Sequence, residues 1–136
     1  MPNQSLINII KETLLSYPYI SIEQSKENEL VIDTNSKNGF LIALVSIPDE
    51  YRLYFNDYAK HYDDTEEDRE NIIDLIIAAI CGTARIKEFS KGNRPYKWQL
   101  EIKNANQDWE HIGTTAYLMP NFWTKPSINY LQNDRD

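Results

Sequence analysis

The stretch Ile72-Ile-Asp-Leu-Ile-Ile-Ala-Ala-Ile80 constrains this chain more than any other, because only Asp74 within it is polar. Its flanks carry helix signals. Thr65-Glu-Glu-Asp68 supplies an N-cap with acids in the first turn, where the helix dipole favours negative charge, and Gly82 fits the position just past Cys81 at which a helix closes left-handed. The pattern predicts an uninterrupted helix from about 65 to 81. An apolar surface that wide must be buried against more than one element: a sheet, and either another helix or another subunit. With 136 residues, the chain can build about one domain around such a helix.

A second helix is expected earlier. Leu6, Ile9, Ile10, Thr13, Leu14 and Tyr17 recur at helical spacing before Pro18, which predicts an amphipathic helix over residues 4–16. Short strands are expected at 19–23, 29–33, 40–47 and 51–55, divided by polar turns such as Pro48-Asp-Glu50. Connections this short imply an antiparallel meander. The 40–47 segment is apolar on both faces and is expected to be central and covered on each side. After the long helix, strands are expected at 83–89, 96–102 and 109–115, and in the middle one Tyr96, Trp98, Leu100 and Ile102 alternate with Lys97, Gln99 and Glu101. The expectation is therefore one α+β domain over residues 1–131, with a largely antiparallel sheet of six or seven strands, two principal helices in the order α-β-β-β-β-α-β-β-β, and a frayed tail over 132–136.

The charge is unevenly placed. The chain carries a formal net charge of −7, which disfavours nucleic acid and anionic membrane surfaces as partners. Between Asp49 and Asp74 ten acids (Asp49, Glu50, Asp57, Asp63, Asp64, Glu66, Glu67, Asp68, Glu70, Asp74) face three bases (Arg52, Lys60, Arg69). Between Thr83 and Lys103 six bases face two acids. The start of the chain has no basic region followed by about 7 to 15 apolar residues, the longest apolar run is too short to span a bilayer, and Cys81 has no partner for a disulfide. A cytoplasmic protein is expected.

The densest polar constellation is Asn56-Asp-Tyr-Ala-Lys-His-Tyr-Asp-Asp64, expected to leave the fourth strand as a loop and enter the long helix. His61 with Asp57, Asp63 and Asp64 could form a metal group or an acid/base pair, but the spacing matches no established ligand set. The alternative is a solvated loop in which Tyr58 and Tyr62 seal the edge of the core. Cys81, at a helix C-terminus where the dipole disfavours a thiolate, is a poor nucleophile. No phosphate-binding glycine loop is present, and no cofactor is expected. Arg85, Lys87, Arg94 and Lys97 interleave with Phe89, Tyr96 and Trp98 as a nucleic-acid platform would, but the overall charge favours solvated strand faces and salt bridges to the acidic segment.

The run Tyr51-Arg-Leu-Tyr-Phe-Asn-Asp-Tyr-Ala-Lys-His-Tyr-Asp63, the acidic-capped apolar helix, Ala84-Arg-Ile-Lys-Glu-Phe-Ser-Lys-Gly92 and then Trp98 resemble small immunity-type proteins of bacterial polymorphic toxin systems over residues 50–102. Some such proteins carry a second histidine near the first; position 59 here is Ala59. The resemblance implies a cytoplasmic protein that binds and neutralises a cognate toxin domain. The function expected is thus a non-enzymatic acidic binding module for a basic protein, monomer or homodimer, docking through Asp57, Tyr58, His61, Tyr62, Asp63, Asp64, Glu66, Glu67 and Glu70, with Tyr54 or Trp123 as further anchors. Two alternatives stand beside it: a secretion or assembly chaperone acting as a homodimer, and a hydrolase or metal-dependent enzyme using His61 and its carboxylates.

Overall fold

A computed structural model describes residues 5–117 and 125–133. In chain order its elements are α1 (Leu6–Leu14), β1 (Ser21–Lys26), β2 (Glu29–Asp33), β3 (Ile42–Ile47), β4 (Glu50–Phe55), β5 (Tyr58–Asp63), α2 (Glu66–Ile80), β6 (Ala84–Lys91), β7 (Arg94–Lys103), β8 (Trp109–Ala116) and β9 (Ser127–Gln132). The α+β class and the two helices stand as expected from the sequence. The single sheet does not: β1-β2-β3-β4-β5 form one antiparallel sheet and β8-β7-β6-β9 another.

Each helix begins on a hydroxyl that accepts a backbone N–H, Ser5 from Asn8 in α1 and Thr65 from Asp68 in α2. At the end of α2 the Thr83 N–H donates to the Ala78 carbonyl and the Gly82 N–H to that of Ala79, with Gly82 at φ +78°. This left-handed closure satisfies carbonyls that the helix would otherwise leave open. The buried side of α2 is Ile72, Leu75, Ile76, Ala79 and Ile80; that of α1 is Leu6, Ile7, Ile10 and Leu14.

Two strands went unread in the sequence. The segment expected as a loop is β5: Asn56 and Asp57 make a two-residue turn between the paired Phe55 and Tyr58, with Asn56 at φ +52°. Pro48 and Asp49 make the corresponding turn between β3 and β4, with Asp49 at φ +66°. The other unread strand, β9, pairs with β6 and makes β6 internal. The first two residues of the tail expected over 132–136 are part of the fold, and 134–136 lie outside the described residues. Gln132 belongs to β9, and Asn133 is only 1% exposed. The central position of β3 is as expected, but it is not covered on both sides. Phe40, Ile42 and Leu44 face the core, whereas Leu41 is exposed and Ala43 and Val45 are half-buried.

One continuous hydrophobic cluster draws on both helices and on the inner faces of both sheets, including Leu30, Ile42 and Phe55 from the first and Ile86, Trp98 and Leu100 from the second. That burial on several sides is what the wide apolar surface of α2 required. The sheets meet where β5 approaches β7 and β8. There Thr115 Oγ1 accepts the Ala59 N–H at 3.1 Å and lies 3.2 Å from the Ala59 carbonyl, closing part of the open edge of β5. Gly113 faces the Tyr58 hydroxyl so closely that a Cβ there would collide with it.

Candidate functional site

The acidic residues gather where β5 runs into α2. Glu66, Glu67 and Asp68 occupy the first turn of α2, stabilised by its dipole. The Asp68 carboxylate accepts the Asp63 N–H at 2.8 Å, tying the strand end to the helix start. Asp64 accepts from Arg69 Nε at 2.8 Å and Nη2 at 2.7 Å, and from the Tyr51 hydroxyl at 3.1 Å. Arg69 and Asp64 thus neutralise one another. Asp63, Glu66, Glu67 and Glu70 are exposed and meet no cation among the described residues.

Beside this group lies an open cleft of about 700 Å³ between α1 and the start of α2. Leu6, Ile9 and Ile73 give it an apolar floor, and Asp64, Glu66, Arg69 and Glu70 line its polar side, net −2. An apolar floor under a negative rim suits a chain segment carrying both apolar and cationic side chains, whose aliphatic stems can lie on the floor while their charged ends reach the carboxylates. The contribution of α1 was missed in the sequence. The signal was Ile9, an isoleucine at the border of the buried stripe of an amphipathic helix.

His61 stands apart from this cleft's lining. It is exposed on the outer face of β5, with Arg52 as its cross-strand partner. Asp57 occupies the turn at the far end of the same strand, roughly 20 Å from Asp63 for an extended run of this length. The grouping of His61 with Asp57, Asp63 and Asp64 that the sequence offered as an alternative is not brought together as a tight cluster, because a strand spreads residues that a loop could have folded back. Among the described residues no three His, Cys, Asp or Glu side chains are placed to hold a metal ion.

Tyr58 and Tyr62, expected as docking residues, are core residues, 3% and 9% exposed. They sit on the face of β5 that packs inward, which is why they recur at even spacing. Tyr54 is half-buried on the opposite face of the sheet, and Trp123 lies outside the described residues. Burial pushes the Tyr62 phenol up to about 12, reinforced by Tyr58 and Asp68, and burial raises Tyr58 as well. The folded state thus holds the neutral phenol more tightly than the unfolded chain does. That stabilisation is complete below the unfolded value near 10 and is lost as pH rises from about 10 to about 12. Thermal unfolding across that window should lose roughly 2 kcal/mol of stability, and Tyr62→Phe should flatten the loss. Exposed tyrosines such as Tyr117 titrate in the folded state regardless, so the contradicting result is a tyrosinate step near pH 10 in the folded protein that Tyr62→Phe removes.

The basic strands do not bridge to the acidic segment through Arg85. That guanidinium pairs with Glu101 on the neighbouring strand at 2.7 Å and lies 4.1 Å from the ring centroids of both Trp109 and Tyr130. Lys97 lies over Phe89 at 4.6 Å. These rings and cations satisfy one another on the outer face of the second sheet.

No helix among the described residues is long and apolar enough to cross a membrane. Comparison with protein families, curated proteins and solved structures finds no match to the chain.

Proposed function

We propose that this chain is a non-enzymatic binding module for a basic protein, acting as an immunity-type protein that occupies a toxin domain. The observation that carries the reading is the cleft between α1 and α2, whose apolar floor of Leu6, Ile9 and Ile73 adjoins carboxylates left without cations at Glu66 and Glu70. A flat acidic surface would serve solubility alone; a cleft with an apolar floor adds a place for a partner's side chains to be desolvated. The surface is narrower than the sequence suggested. It comprises Asp63, Glu66, Glu67 and Glu70, while Asp64 holds Arg69 and Tyr51 in place.

The test is co-expression with the product of the neighbouring gene. Binding and protection of growth are expected. Changing Asp63 to Asn and Glu66, Glu67 and Glu70 to Gln should then lower the association rate about tenfold at low salt and flatten its salt dependence, since charges beyond a Debye length of about 8 Å are screened at physiological ionic strength. Circular dichroism must show the variant folded. An unchanged rate and salt slope in that folded variant would return these acids to a solvated helix start.

A further inference from the structure

Asn38-Gly39 is the only Asn-Gly pair in the sequence, and it lies in the connection between β2 and β3. We propose that Asn38 is a site of spontaneous deamidation and that its isoaspartyl product undocks the end of β9. The chemistry balances within the chain and solvent. The Gly39 nitrogen attacks Asn38 Cγ, forming an N–Cγ bond; the Cγ–NH2 bond breaks, and ammonia leaves with the Gly39 proton. Water then opens the resulting succinimide. Attack at the former side-chain carbonyl gives aspartate. Attack at the former backbone carbonyl gives isoaspartate, in which the main chain runs through Cγ and is one carbon longer.

Three observations single out this asparagine. A glycine nitrogen is unhindered, because no Cβ stands beside it. Its one backbone hydrogen bond, to the Ser36 carbonyl, is long at 3.4 Å. The Asn38 side chain is exposed and has no hydrogen-bond partner among the described residues, so closing the ring breaks no side-chain contact. Three other asparagines in turns and connections are held by their side chains, and those at Asn28, Asn93 and Asn106 precede residues that carry a Cβ. The Asn35 amide donates to the Tyr19 carbonyl and to Ser21, Asn56 Oδ1 accepts the Leu41 N–H, and Asn104 Oδ1 accepts the Asn106 and Asp108 N–H groups.

Gly39 cannot be exchanged to remove the hazard, because a Cβ there would collide with Asn133 Oδ1 and lie 2.8 Å from Ser36 Cβ. The same closeness gives the modification its consequence. The Asn38 carbonyl accepts the Gln132 N–H at 2.9 Å, and the Phe40 N–H donates to Asn133 Oδ1 at 2.9 Å. In isoaspartate the Asn38 carbonyl leaves the main chain as a free carboxylate and the path to Phe40 is rerouted through Cβ and Cγ, which puts the two bonds out of register, whereas the aspartyl product leaves the backbone path unchanged.

The experiment ages the folded full chain in mildly alkaline buffer and maps peptides by mass. The expected result is the mass gain of an amide-to-acid conversion at Asn38 before any other asparagine, with labelling by an isoaspartyl methyltransferase that Asn38→Gln abolishes. First conversion elsewhere, or an Asn38 that stays intact while a free peptide of residues 34–41 converts, overturns the site. The isoaspartyl fraction, separated by ion exchange, should lose hydrogen-exchange protection at the Phe40 and Gln132 amides, while Asn38→Asp keeps it. Unchanged protection in the isoaspartyl fraction overturns the undocking.

Discussion

Ile76→Asp is expected to unfold the protein. Ile76 is 1% exposed and belongs to the buried side of α2. The substitution removes a buried branched side chain, worth about 2–5 kcal/mol by itself, and places a carboxylate inside the hydrophobic cluster. A buried carboxylate without a partner stays neutral or drags water inward, and either adds to the loss. Small domains hold only about 5–15 kcal/mol in total, so the variant should show no cooperative urea transition. Ile76→Val, which keeps the shape, should cost only about 1 kcal/mol. A wild-type midpoint for the aspartate variant would mean that this side of α2 faces water.

Asn133→Leu should be the most destabilising polar substitution. Asn133 Oδ1 accepts from Thr34 Oγ1 at 2.7 Å and from the Phe40 N–H at 2.9 Å, and its Nδ2 donates to the Ala79 carbonyl at 3.2 Å. One amide thereby joins the end of β9, the connection after β2 and the last turn of α2. Leucine fills similar space but leaves the buried Phe40 N–H without its acceptor, at about 1–3 kcal/mol, and costs the Thr34 hydroxyl the shorter of its two bonds, that to Ser36 Oγ at 3.1 Å remaining. The expected loss is about 2–4 kcal/mol by denaturant unfolding. Asn133→Asp keeps the acceptor but sets a second oxygen against the Ala79 carbonyl. Its stability should recover as pH falls, because a protonated carboxyl can donate where the amide did. A loss below about 1 kcal/mol in the leucine variant would mean that these bonds are replaced by water.

Much of this fold is legible in the sequence. Thr65, the acids of the first turn, the apolar run and Gly82 all act within a few residues, and the helix they predict matches α2 closely. Likewise β2 falls where its alternation placed it, and Trp98 and Leu100 face inward as their spacing required. The misreadings have a common cause. In β5 the tyrosines at 58 and 62 alternate correctly, but Lys60 shares their face and His61 and Asp63 the other, so polarity hid a strand whose pairing comes from β4. In β9 Ile128 and Tyr130 share a face that stays exposed, and only β6, some forty residues earlier, makes the segment a strand.

The candidate site divides in the same way. Which acids cluster at the start of α2 follows from the sequence, since Asp63 to Glu70 are neighbours along the chain and local capping fixes their placement. Which of them stay open to a partner does not, because Arg69 sits close to several carboxylates in sequence and the fold gives it to Asp64 and Tyr51. The cleft floor depends on α1 lying beside α2, a contact between segments about sixty residues apart. Local patterns determine helices, turns and the sign of a surface, because hydrogen bonding and dipoles act over a few residues. Sheet division, the burial of Tyr58 and Tyr62, the dock of Asn133 and the shape of the cleft were decided only by the tertiary structure, because each depends on chain segments that meet only when the core closes.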